Sequence, residues 1–117
     1  MYYRVTKYGD TQFSLDYSDT ELMNIIKSYI KKRKDAGEDY FTYYVLCKHL
    51  INLADNTDKL EGKDKNTYYT SVILSQKEYT RVSRLLWELI LDHKLFVDFS
   101  NNSYTAHYEN DTILGIF

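Results

Sequence analysis

The stretch SQKEYTRVSRLLWELILDHKLFVDFSNNSYTAHY, Ser75 to Tyr108, decides the architecture, because more signals agree there than anywhere else in the chain. Ser75 followed by Glu78 reads as a capping box, the serine oxygen accepting from a first-turn N–H while the glutamate reaches back to the serine N–H. Tyr79, Val82, Leu85, Leu86, Leu89, Ile90 and His93 then recur at the three-and-four spacing of a buried helical face, with Trp87 and Leu91 as a second apolar edge. Only Lys77, Arg81, Arg84, Glu88 and Asp92 remain for a polar strip, so the pattern predicts a central helix over 76–93, packed on more than one side. After it, Leu95 to Phe99 and Tyr104 to Glu109 flank Ser100 to Ser103, and a two-residue Asn101-Asn102 turn pairs Phe99 with Tyr104, Val97 with Ala106 and Leu95 with Tyr108. That is a β-hairpin with one apolar face.

Working outward, Thr67 to Leu74 is β-branched and aromatic and reads as a strand leading into this helix. The preceding Asp55 to Asn66 is polar apart from Leu60 and reads as a solvated, mobile loop. Tyr40 to Ala54 is apolar nearly all round and predicts a helix over 41–54, with Thr42 as its cap. A second capping box, Ser18 with Glu21, opens a helix over 19–35 whose Leu22, Ile25, Ile26, Tyr29 and Ile30 form a one-sided stripe. Residues 2 to 17 alternate around Gly9-Asp10 and read as a hairpin, in which a three-residue Gly9-Asp10-Thr11 loop sets Val5 opposite Leu15 and Tyr3 opposite Tyr17. The apolar tail Thr112 to Phe117 reads as a further strand. The expected fold is one α+β domain over 1–117: hairpin, two helices, strand, central helix, hairpin.

Composition bounds the function classes. The 117 residues are enough for a real core, no apolar run is long enough for a membrane span, and no export signal or lipidation motif is seen. A single cysteine, Cys47, makes no intrachain disulfide and suits a reducing cytoplasm. The net charge of −2 exerts no global pull toward nucleic acid or anionic membrane. The abundance of Lys, Asn, Ile and Tyr, which share AT-rich codons, matches a low-GC genome such as that of a bacterium or its phage. The 13 tyrosines also offer large contact area for few rotatable bonds, as binding surfaces do.

No catalytic, metal or nucleotide motif rises above background. Cys47 and His49 stand two residues apart on a helix and point in different directions. His93, His107 and Glu109 are brought near one another by the helix-hairpin order, but a metal site needs a further convergent ligand. The four glycines are isolated, so no phosphate-cradling loop exists, and no G-x-S-x-G elbow accompanies the serines. No enzyme activity, metal or cofactor is expected, and chelation should leave melting and binding unchanged.

Two binding classes remain. Lys77, Arg81 and Arg84 at i, i+4 and i+7 form one edge of the central helix, and helix-then-hairpin over residues 75 to 109 resembles in topology the recognition helix and wing of a winged-helix domain. The resemblance implies a DNA-binding regulator. The chain departs from it where a strand, not a helix and turn, precedes the helix, where Glu88 and Asp92 interrupt the strip, and where the tip Ser100 to Ser103 has no Arg or Lys. The preferred expectation is a non-enzymatic protein that occupies a surface on a partner protein, as phage and mobile-element accessories acting on host machinery do. Its candidate contacts are Tyr40, Tyr43 and Tyr44 beside the basic turn Lys31, Lys32, Arg33 and Lys34, which combine contact area with steering. A homodimer through the same surface is the variant in which the partner is a second copy.

Overall fold

The computed structural model describes residues 5–64, 67–97 and 112–117. Along them run β1 (Val5–Leu15), α1 (Asp19–Asp35), β2 (Tyr40–Thr42), α2 (Tyr43–Asn56), β3 (Leu60–Glu61), β4 (Thr67–Leu74), α3 (Gln76–Leu91), β5 (Leu95–Val97) and β6 (Ile113–Ile116). The strands form two three-stranded sheets, ordered β3-β1-β4 and β2-β6-β5, so the α+β class is what forms. Buried residues from all three helices and both sheets join one core cluster.

Each helix starts where its cap requires. Ser18 and Glu21 make both bonds of the capping box on α1. Thr42 accepts from the Val45 N–H and opens α2. Ser75 accepts from the Glu78 N–H, but the reciprocal half of the expected box is absent: the Ser75 N–H donates to the Phe13 carbonyl, 2.9 Å away, and Glu78 turns inward. Both α1 and α3 end in Schellman motifs. In α1 Gly37 takes the left-handed position, with Glu38 N–H on the Arg33 carbonyl; in α3 His93 takes it at φ 57°, with Lys94 N–H on the Leu89 carbonyl.

The N-terminal hairpin is corrected. Residues 5 to 15 are one continuous strand, paired in parallel with β4 from Val5↔Thr67 to Phe13↔Leu74. The register shifts between Lys7 and Asp10, so Gly9-Asp10 becomes a bulge inside the strand and not a turn. Val5 therefore never faces Leu15, which pairs with Leu60 of β3. Residues 2–4 lie outside the described residues. The physical reason is competition: the β-branched and aromatic β4 offers β1 a longer ladder than its own second half does, and buries Phe13 and Leu15 in doing so.

The tail is the strand it was expected to be. As β6 it is the middle of the second sheet, between Tyr40–Thr42 and Leu95–Val97. Leu95 faces Ile116 and Val97 faces Leu114; the expected pairing with residues 104–109 lies outside the described residues. The polar loop is shorter than expected, since α2 runs to Asn56 and Leu60, buried, contributes to β3.

The expected 76–93 helix stops at Leu91, and its buried residues among those described lie on one side. Val82, Leu85, Leu86 and Leu89 are buried, but Trp87 and Leu91, the expected second edge, point outward, Leu91 with 76% of its surface exposed. α2 is the more enclosed helix: it buries Tyr43, Leu46, Cys47, Leu50, Ile51 and Ala54.

Burial of titratable groups in this core sets a pH window. The Cys47 thiol is pushed up from 9.0 to about 12 by burial, and burial raises the Tyr43 phenol well above its ordinary value. Both are neutral when folded and ionise more readily when unfolded, so the stability they contribute is whole below pH 9 and declines as pH rises above it. His49 is held below its ordinary 6.5 by burial and then by the charge of Lys32, so its contribution is whole above pH 6.5 and declines as pH falls. Stability measured by urea titration is expected to plateau between these limits, with the alkaline decline shallower in Cys47→Ala.

Candidate functional site

Of the basic strip of α3, Arg81 turns inward while Lys77 and Arg84 stay exposed. Arg81 is largely buried and reaches back across the chain: Nη1 donates to the Tyr17 carbonyl (2.6 Å) and lies 3.4 Å from Asp19 Oδ1, while Nη2 donates to the Leu15 carbonyl (3.3 Å) and to Glu78 Oε2 (2.6 Å). Glu78 is 1% exposed. Arg84 pairs with the other oxygen of Asp19 at 2.6 Å and holds that carboxyl below its usual range. The two arginines therefore clasp α3 to the end of β1 and the start of α1. Of the strip expected to read DNA, only Lys77 stands in solvent with no ion pair among the described residues. The wing, residues 98–109, lies outside the described residues.

The expected aromatic-basic patch also divides. Tyr43 is core, 2% exposed, its hydroxyl donating to the Tyr79 carbonyl at 2.8 Å and lying 3.0 Å from Ser83 Oγ. The all-round apolar pattern of α2 had this consequence, since one side of such a helix must face the core. Tyr40 and Tyr44 are exposed. Arg33 is a brace: Nε and Nη2 both donate to the Tyr40 carbonyl (3.0 and 2.9 Å), Nη2 pairs with Glu38 at 2.8 Å, and the guanidinium lies 5.7 Å from the Tyr29 ring. Lys32 lies toward His49, whose ring leans on Tyr29 at 4.8 Å. Consecutive residues on a helix point about 100° apart, so Lys31 to Lys34 do not make one patch.

What the fold does assemble is a corner where α1, α3 and the second sheet meet. Across that sheet Tyr40, Gly115 and Phe96 stand in register, and directly opposed residues share a face. Their neighbours Phe41 and Leu114 point into the core, so Tyr40 and Phe96 point out. Gly115 has no side chain because Phe96 lies across it: a Cβ at 115 would fall inside the Phe96 ring. Phe96 in turn meets Phe117 at 4.9 Å between centroids, giving an exposed aromatic face of Tyr40, Phe96 and Phe117. Gly115→Ala is expected to displace the Phe96 ring and cost about 1–3 kcal/mol. Loss of the ring-current shift on Phe117 in an NMR spectrum checks the displacement separately from the melting temperature.

Next to Phe117 lies a groove of about 510 Å³. Ile30, Leu89, Ile116 and Phe117 line it with apolar surface, and Lys27, Lys31, Lys34, Lys94 and His93 rim it. Lys27, Lys31 and Lys34 stand at i, i+4 and i+7, one edge of α1. Lys34 donates to the Phe117 backbone oxygen and so holds the tail against α1. Of the residues expected for partner binding, Tyr40, Lys31 and Lys34 belong to this corner. Phe96, Phe117, Lys27, His93 and Lys94 were missed, although the i, i+4, i+7 spacing of three lysines and a glycine inside an apolar tail were both readable signals.

Among the described residues no group of three His, Cys, Asp or Glu side chains converges on one point. Cys47 is buried beside Tyr43 and stays a thiol, while His49 lies on the Tyr29 side of α2. His107 and Glu109 lie outside the described residues. No helix among the described residues is long and apolar enough to cross a membrane. No protein-family model matches the chain, and comparison with curated proteins and with solved structures gives no match.

Proposed function

We propose that the protein works by binding a partner protein, and that its contact surface is the corner formed by the exposed aromatic face of the second sheet and the adjoining groove. The observation that supports this reading is the face itself: Tyr40, Phe96 and Phe117 are 59%, 39% and 60% exposed, although large aromatic residues gain most from burial. Exposed aromatic side chains gathered on a rigid sheet, with cations at the margin, are the composition of an interface centre. A DNA-binding role has less support, because Arg81 and Arg84 are held by Glu78 and Asp19.

Co-purification from the native host tests this, using wild type, Tyr40→Ala/Phe117→Ala and Lys77→Ala, all checked for an unchanged melting temperature. A partner retained by wild type and Lys77→Ala but lost from the aromatic pair is the expected result. A partner retained equally by all three places the contact elsewhere. Light scattering on the purified protein distinguishes the variant in which the partner is a second copy.

A further inference from the structure

The groove beside the aromatic face carries a charge that the rest of the molecule does not share. Four lysines rim it in a chain whose net charge is −2, and no acidic side chain among the described residues lines it. α1 and α3 both end here, and each helix C-terminus contributes roughly −0.5 of an elementary charge. Two such ends use about one positive charge and the Phe117 oxygen engages Lys34, so a positive surplus remains on Lys27, Lys31 and Lys94. Among the described residues Lys27, Lys31 and Lys94 form no ion pair, and Lys34 donates to the Phe117 oxygen.

From this surplus, and from the apolar floor of Ile30, Leu89 and Ile116 beneath it, we propose that the groove takes an acidic amphipathic segment of the partner protein, one bulky apolar side chain seated on the floor and carboxylates on either side reaching the lysines. This rests on the protein-binding reading and names the chemistry of the partner. A purely anionic ligand would leave the apolar floor wet, and a purely apolar one would have to desolvate the ammonium groups without pairing them. A segment carrying both meets both requirements. The groove is concave and opens beside a sheet face with three exposed aromatic rings, which extends the contact beyond what a small ligand covers.

Fluorescence anisotropy tests the proposal with the full chain and a short labelled peptide in which glutamates flank a central Leu-Phe pair. The controls replace the glutamates by lysine or the Leu-Phe pair by glycine, and add vesicles of anionic phospholipid or a free fatty acid as competitors. The expected result is binding at least about tenfold tighter than to either control peptide, weakened by salt, and reduced by about tenfold or more in Lys27→Glu/Lys31→Glu, whose substituted side chains are exposed and leave the fold intact. Equal binding of the glycine control reduces the groove to a nonspecific anion patch and overturns the proposal. So does full competition by vesicles or fatty acid at concentrations where the peptide is in excess, which assigns the groove to lipid. A native partner that is lost from Tyr40→Ala/Phe117→Ala but kept by Lys27→Glu/Lys31→Glu overturns this inference while leaving the protein-binding reading in place.

Discussion

Arg81→Met is expected to be the most damaging single change in the chain, lowering stability by about 3–5 kcal/mol. The arginine neutralises Glu78, whose side chain is 2% exposed, and satisfies the carbonyls of Leu15 and Tyr17 where β1 passes into α1. Removing it leaves a buried carboxylate without its cation and two carbonyls without a donor, and the cost is that of the stranded groups more than of the lost bonds. The double variant Glu78→Met/Arg81→Met should therefore be more stable than Arg81→Met alone, because it removes the stranded charge together with its partner. Urea denaturation of both variants checks the order; an Arg81→Met protein as stable as wild type would show that the clasp is ornamental. Arg84→Ala is the control. Its partner Asp19 is half exposed, so the melting temperature should hardly move. Loss of binding on changing Arg81 would therefore report unfolding, not a contact.

The second large effect belongs to Leu86→Ala, expected at about 2–5 kcal/mol. Leu86 is fully buried on the face of α3 that also carries Val82, Leu85 and Leu89, and truncation leaves a cavity that close-packed neighbours fill only in part. Leu91→Ala, on the same helix but 76% exposed, should cost little by comparison. Thermal and urea unfolding of the pair measure how one-sided the helix is. Similar losses in both would mean that α3 is packed on its outer side as well.

These residues also show what could be read in advance and what could not. The helices were legible because a helix writes its burial into local spacing: the stripe of α1 and the caps Ser18, Thr42 and Ser75 stand where the structure has them. β4 and the tail strand were legible from composition. The partner of β1 was not. About fifty residues separate it from β4, no local pattern names a parallel partner, and Gly9-Asp10 looks the same as a turn or as a bulge. Glu78 was misread because the capping-box pattern presumes a solvated glutamate, whereas Arg81 three residues on draws it inward. The basic turn was misread as a block. Seen as a helix, its residues separate into Lys31 and Lys34 on the groove, Arg33 on the Tyr40 carbonyl and Lys32 toward His49. Phe96 and Phe117 became a face only through the register of β6, which sets Gly115 beneath a ring.

Site-specific photo-crosslinking in cells that express the chain natively tests the central claim most directly, with the reactive residue placed at position 117, at 40 or at 77 in separate variants. The account predicts a discrete protein adduct from positions 117 and 40, the first lost when Lys27 and Lys31 are replaced by glutamate, and none from 77. An adduct to nucleic acid from position 77, with positions 117 and 40 silent, would contradict it.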